Sequence, residues 1–117
     1  MNQPIEIYHN PRCTKSRATL SLLQERGLAP TVIEYLREPL TATQLRTVVR
    51  KLGIKPEALV RKGEDIFKST YAGKSLSDAQ WIEAMVQYPI LIERPIVVVG
   101  ERAALGRPPE NVLAILP

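Results

Sequence analysis

Apolar and polar residues change rhythm several times along the chain, and each change marks an element. Ile5-Glu6-Ile7-Tyr8 alternates and then runs into His9-Asn10-Pro11, the pattern of a short strand entering a loop. Residues 16–26 follow without Pro or Gly. Ala18, Leu20, Leu22 and Leu23 supply apolar surface there, and Gly27 stands where a helix stops. Thr31-Val32-Ile33-Glu34-Tyr35-Leu36 is rich in β-branched and aromatic residues and predicts a second strand. The first 36 residues therefore predict a βαβ unit with parallel strands and a right-handed crossover.

The middle of the chain predicts helices. Thr41-Ala42-Thr43-Gln44 is a capping box, after which Leu45, Val48, Val49 and Leu52 fall on one face and Gly53 ends the helix. Pro56 opens a short helix through Val60, and residues 62–74 are polar and unpatterned, a loop with a turn of helix. Ser77-Asp78-Ala79-Gln80 is a second capping box. It starts a helix carrying Trp81, Ile82, Met85 and Val86 as core residues, which Pro89 ends. Pro95 then precedes Ile96-Val97-Val98-Val99, a buried strand. Gly100-Glu101 is a tight connection, and residues 102–106 return as an antiparallel edge strand. Pro108-Pro109-Glu110 opens a last helix through Val112, Leu113, Ile115 and Leu116. The order is βαβ, several helices, ββα. It predicts an α/β chain with a four-stranded mixed sheet, the thioredoxin arrangement with a helical insertion at about residues 41–90.

Composition bounds the picture. The chain has 117 residues, against about 150 per domain, so residues 1–117 predict one domain. A hydrophobic share of 44% and a charged share of 24% are ordinary for a globular chain. The longest apolar run, Ile96 to Val99, falls far short of the roughly 20 residues a membrane span needs. Met1-Asn2-Gln3-Pro4 has neither the basic flank nor the apolar core of a signal peptide. These features, with a single cysteine, predict a soluble cytoplasmic protein with a free thiol. The net charge of +4 suits a small anion or nucleic acid. Only 5% of residues are aromatic and no helix carries a basic stripe, which favours the small anion.

The chemistry centres on Cys13. It sits where the first strand has ended and the first helix begins, so free N–H groups and the positive end of the helix dipole point at it. A thiol so placed falls from about 8.5 toward 7 or below in pKa. Lys15 and Arg17 add positive charge, and the Ser16 hydroxyl, three residues on, turns back toward the sulfur. A lone cysteine is more commonly a buried structural residue. A strand-to-helix loop with polar neighbours is a poor place for that, so the position favours a reactive thiol. Other sites are excluded by residue type. Cys13 and His9 are the only soft ligands, which excludes a cysteine-rich zinc centre and predicts no metal. A phosphatase loop needs Arg at position 19, which is Thr19, and no Walker loop occurs. The partner position of a dithiol centre is Ser16, so a covalent intermediate on Cys13 must be resolved by an external thiol.

The loop His9-Asn10-Pro11-Arg12-Cys13-Thr14-Lys15-Ser16-Arg17 resembles the catalytic loop of the glutaredoxin-linked, ArsC-type arsenate reductases. The resemblance extends through Ala58-Leu59-Val60-Arg61-Lys62, the run from Tyr88 to Val98, and Gly106-Arg107-Pro108. It implies a thioredoxin-like fold, Cys13 as the catalytic thiolate, and Arg61, Arg94 and Arg107 as the residues that hold an oxyanion. Arg94-Pro95 would carry a cis proline. His9, Asn10, Ser16 and Arg17 take supporting places. The implied substrate is arsenate, with glutathione as co-substrate, glutaredoxin as partner and no bound cofactor. A monomer without nucleic-acid or membrane partners is expected. The chain has Thr14-Lys15 where the best-known family members have Gly-Thr, and Glu93 beside Arg94 adds a negative charge near the anion site. Two alternatives remain: a glutathione-dependent oxidoreductase acting on mixed disulfides, and a non-enzymatic RNA polymerase-binding redox adaptor. Sulfur-only chemistry has no need of three oxyanion arginines, and Ser16 removes the dithiol switch of such adaptors.

Overall fold

The computed structural model describes residues 4–117. Met1-Asn2-Gln3, read above as part of a start without a leader, lie outside the described residues. Four strands, β1 (Ile5–Tyr8), β2 (Thr31–Ile33), β3 (Ile96–Val99) and β4 (Arg102–Leu105), form one sheet in the order β2-β1-β3-β4. β1 pairs parallel with β2 and antiparallel with β3, and β3 pairs antiparallel with β4. The mixed α/β sheet expected from the residue pattern is therefore present. β3 is central and all four of its residues are buried, which is why it reads as an unbroken apolar run. β1 alternates, and Ile5 and Ile7 join Val97, Val99, Leu23, Val112 and Ile115 in one core cluster.

Two compact units share the chain. One takes the chain up to Glu38 together with Arg94–Pro117; the other is Pro39–Glu93. The first holds the sheet, helix α1 (Thr14–Glu25) and a 3-10 helix at Pro109–Ile115. The second holds α2 (Ala42–Leu52), α3 (Asp78–Gln87) and 3-10 turns at Pro56–Leu59 and Pro89–Leu91. Both capping boxes form: the Thr41 and Ser77 hydroxyls accept from the backbone of Gln44 and Gln80, whose side chains return the bond. Gly53 takes the left-handed conformation that closes α2.

Four elements differ from the sequence reading. α1 starts at Thr14, with Cys13 as its N-cap residue, rather than at residue 16. β2 stops at Ile33, because the Arg37 and Glu38 N–H groups both donate to the Glu34 carbonyl and fold residues 34–38 into a turn. The last helix is 3-10. Its buried residues, Val112 and Ile115, are three apart, the repeat that aligns side chains at three residues per turn. Residues 67–71 form a π-helical turn whose Phe67 and Tyr71 rings each lie 6.1 Å from the ring of Trp81. This stretch therefore carries core contacts as well as polar surface.

One close approach fixes the end of β4. The Gly106 N–H donates to the Pro95 carbonyl, and the buried Thr19 hydroxyl donates to the Lys15 and Gly106 carbonyls. A Cβ on Gly106 would lie 2.5 Å from Thr19 Oγ1 and 2.8 Å from Pro95 Cγ. Neither neighbour is the loose end of a long side chain. Gly106→Ala is therefore expected to destabilise the protein by about 1–3 kcal/mol, the usual range for overpacking. Urea unfolding should show a lower midpoint at unchanged slope. In the Thr19→Ala background the loss should shrink, because the closest atom is gone. An undiminished loss there would contradict the contact.

Candidate active site

The loop between β1 and α1 is tied down by its own polar groups. The His9 N–H donates to the Ile33 carbonyl at 2.8 Å and extends the parallel ladder one residue past β1. The Asn10 side-chain oxygen accepts from the Arg12 N–H at 3.0 Å, and the Asn10 carbonyl accepts from the Cys13 N–H at 3.0 Å. The Arg17 guanidinium donates to the Pro11 carbonyl at 3.0 Å and, at 3.4 Å, to the Thr14 hydroxyl. Each bond fixes part of the turn that delivers Cys13 to the start of α1.

Ser16 and His9 form the buried half of this loop. The Ser16 hydroxyl lies 2.6 Å from His9 Nδ1 and accepts from the Asn10 N–H at 3.0 Å. Because Oγ already accepts once, the arrangement suits a neutral imidazole that accepts the Ser16 proton at Nδ1. Burial lowers the His9 pKa from its ordinary value; Glu34 opposes the shift and Arg17 adds to it. The expectation that the Ser16 hydroxyl turns toward the sulfur is corrected here. Its hydroxyl serves His9 and Asn10, and it is the Ser16 backbone N–H that lowers the Cys13 pKa.

Cys13 is a free, half-buried thiol. Its partial burial pushes the pKa up, but donors outweigh that penalty. The backbone N–H groups of Ser16 and Lys15 and the Arg94 side chain lower the pKa, and the Arg94 charge adds to them. The pKa is lowered overall, as expected for a thiolate at a helix start. Arg107 completes the sulfur's surroundings. Its Nη1 donates to the Arg94 carbonyl at 3.0 Å and stands 3.9 Å from Cys13 Sγ. Arg94 Nε and Nη1 are buried and have no hydrogen-bond acceptor among the described residues. The Arg94–Pro95 peptide bond is cis, as the resemblance implies, and Arg107–Pro108 is cis as well.

The first unit thus brings together Cys13, Arg94, Arg107, His9, Asn10, Ser16 and Arg17. Arg61 belongs to the second unit. There its guanidinium bonds to Glu64 at 3.2 Å and to Glu93 at 3.0 Å, with the three side chains only partly exposed. Backbone bonds from the Arg61 N–H to the Leu91 carbonyl and from the Glu93 N–H to the Leu59 carbonyl hold this pairing in register. Glu93 is therefore a partner of Arg61. The sequence places its charge near the anion site through its neighbour Arg94, and the pairing with Arg61 is what the structure adds. Sequence reasoning also missed Glu64, although its i,i+3 spacing from Arg61 signals the pair. Thr19 and Gly106, which seat the end of β4 beside Pro95, carried no sequence signal beyond the glycine itself. Among the described residues no cluster of three or more His, Cys, Asp or Glu side chains could hold a metal ion. No described helix is long and apolar enough to cross a membrane.

Known proteins match this chain closely. The ArsC family model matches residues 8–115. YfgD of Escherichia coli K12, which bears the description "uncharacterized protein", is 48% identical over 99% of both chains. An arsenate reductase of Neisseria meningitidis serogroup A is 42% identical over 96% of this chain and 97% of its own. The solved structure of an arsenate reductase from Vibrio cholerae superposes with a TM-score of 0.95. It is 45% identical, over 99% of this chain and all of that one.

The donor set around Sγ generates a measurable expectation. Cys13 should be alkylated with a rate that rises with pH and reaches half its maximum below the ordinary thiol value. Arg94→Met should move that midpoint upward, because the substitution removes both a hydrogen bond and a charge from the sulfur. Iodoacetamide kinetics across pH read both values. A wild-type midpoint at or above that of a free cysteine would contradict the arrangement.

Proposed function

The chain belongs to the ArsC family, and from that premise we propose that it reduces arsenate to arsenite with Cys13 as the nucleophile. The observation that carries the reading is the pair of guanidiniums on one sulfur. Arg107 stands 3.9 Å from Cys13 Sγ, and the Arg94 side chain and its charge lower the Cys13 pKa. Arg94 Nε and Nη1 have no acceptor among the described residues. Buried guanidinium N–H groups without an acceptor are costly, and an oxyanion supplies acceptors for them. Sulfur-only exchange has no use for these donors.

Arsenate is a tetrahedral dianion near neutral pH, and a thiolate repels it. Guanidiniums offset that repulsion, hold the oxygens in a fixed geometry and stay charged at any working pH. The proposed cycle begins as Cys13 Sγ attacks arsenic. An S–As bond forms and one arsenic oxygen leaves as water, with arsenic still pentavalent. The thiol of glutathione then displaces a second oxygen as water and gives an As–S bond. A glutaredoxin thiolate attacks the glutathione sulfur. The S–S bond forms, the As–S bond breaks, and its electron pair stays on arsenic, which becomes trivalent. Water releases arsenite and restores the Cys13 thiolate. Two external thiols are oxidised to one mixed disulfide, which matches the two electrons arsenic gains. The chain has one cysteine, so both must come from outside.

His9, Asn10, Ser16 and Arg17 shape the loop and do no proton transfer in this scheme. Arg61 enters it from the family pattern alone, as a third oxyanion ligand. The proposal treats the protein as a cytoplasmic monomer that needs neither metal nor bound cofactor.

Arsenite release in the presence of glutathione and glutaredoxin tests the reading. Cys13→Ser should abolish turnover, because a hydroxyl is a far weaker nucleophile at neutral pH. Arg94→Lys should lower the rate by about 100-fold or more, since an ammonium keeps the charge but loses the fork of donors. Equal rates for wild type and Cys13→Ser, or full rates without external thiols, would overturn the mechanism.

A further inference from the structure

Arg94 and Arg61 stand in opposite states. Arg94 Nε and Nη1 are buried and have no acceptor among the described residues. Arg61 is already paired: its Nε donates to Glu64 at 3.2 Å and its Nη1 to Glu93 at 3.0 Å. These are not loose surface contacts. The Arg61 side chain is 20% exposed and each carboxylate side chain 25%, whereas the paired Lys62 and Glu57 side chains are both more than half exposed. Exposed pairs of that second kind contribute little, and a short, sheltered pair holds its partners more firmly. One guanidinium between two carboxylates also leaves this cluster with a net negative charge.

We infer that Glu93 is a specificity-determining residue for the oxyanion: its carboxylate competes for the Arg61 guanidinium, so binding at Arg61 requires the Glu93–Arg61 pair to open. The inference rests on the proposed reading that Arg61 ligates the substrate oxyanion, and the competition is what it adds. A guanidinium presents an oxyanion with two edges, Nε with Nη2 and Nη1 with Nη2. Glu64 holds a nitrogen of the first edge and Glu93 one of the second, so bidentate binding on either edge has to open a pair. Position decides which pair opens. Glu64 is three residues from Arg61 on the same stretch of chain and moves with it. Glu93 lies on the facing segment. The bridge between Val60 and Ile92 fixes it there, with bonds from the Arg61 N–H to the Leu91 carbonyl at 2.7 Å and from the Glu93 N–H to the Leu59 carbonyl at 2.8 Å. A guanidinium that swings toward an anion therefore carries Glu64 along and leaves Glu93 behind. Water reaches the Glu93 side chain, so its carboxylate is not stranded as a buried charge when the pair opens. A ligand with one carboxylate gains nothing by this exchange. A tetrahedral dianion brings more charge and more acceptor oxygens, so the competition favours oxyanions of the arsenate class over singly charged ligands.

Calorimetric titration of arsenate into the full chain carrying Cys13→Ser, where no S–As bond forms, reads the competition. In that background Glu93→Gln should bind arsenate about fivefold tighter, because a neutral amide is a weaker partner for a guanidinium than a carboxylate. Glu93→Asp keeps the charge but is one methylene shorter, and the backbone bonds hold the residue in place, so its carboxylate no longer reaches Nη1. It should also bind arsenate tighter, by about threefold, the scale of a weakened ion pair. The Asp variant separates competition from repulsion. Tighter binding by the Gln variant alone would mean that the Glu93 charge merely repels the anion, and would overturn the inference. Weaker binding in either variant, the result if Glu93 aims Arg61 at the anion, would overturn it too, as would no change in both. Arg61→Met should weaken binding in the same titration. Unchanged binding there overturns this inference and leaves Cys13, Arg94 and Arg107 as proposed. A parent chain that binds no arsenate overturns the oxyanion reading itself.

Discussion

A sulfur whose pKa is lowered at the start of a helix, with guanidiniums for company, is the constraint around which the rest of the site is arranged. Partial burial works against the thiolate. It is outweighed only because backbone N–H groups of Ser16 and Lys15 and the side chain of Arg94 all point at Sγ. Helix starts leave such N–H groups without internal partners, and Cys13 stands at that end as the N-cap residue. Remove the register of α1 by one residue and the sulfur loses its donors. The His9–Ser16–Asn10 network and the Arg17 bonds to the loop hold that register.

The second requirement is that residues far along the chain reach the same sulfur. Arg94 lies just before β3 and Arg107 just after β4, so the antiparallel β3–β4 pair brings both to one end of the sheet. The bond from the Gly106 N–H to the Pro95 carbonyl closes that end. Thr19 of α1 packs against it so tightly that only a glycine fits. The same packing that completes the sheet therefore fixes where Arg107 stands. The placement of the Arg107 guanidinium and the core contacts are set by one piece of geometry, which preorganises positive charge beside the sulfur.

Much of this was legible from local pattern. β1, β3, β4 and both capping boxes follow from residues within a few positions of each other, and Cys13 is singled out by its place at a strand-to-helix junction. The rest depends on contacts between distant segments. No periodicity says that Arg107 stands beside Cys13; the resemblance to a family carried that. Spacing alone placed the Ser16 hydroxyl on the sulfur, because spacing does not reveal that His9 and Asn10 compete for it. Phe67 and Tyr71 look like loop residues because their partner, Trp81, lies on another element. The pairing of Glu93 with Arg61 was hidden for a similar reason: the bridge between Val60 and Ile92 that sets them opposite each other joins distant segments.

The central claim is that Arg94 and Arg107 make the surroundings of Cys13 an oxyanion site. Crystals grown with arsenate, and in parallel with sulfate, test it most directly. The account predicts the anion within hydrogen-bond distance of both guanidiniums and in contact with Cys13 Sγ, and predicts its loss from that position in Arg94→Ala. An anion found only on surface lysines and arginines away from Cys13, or one retained in place by Arg94→Ala, would contradict it.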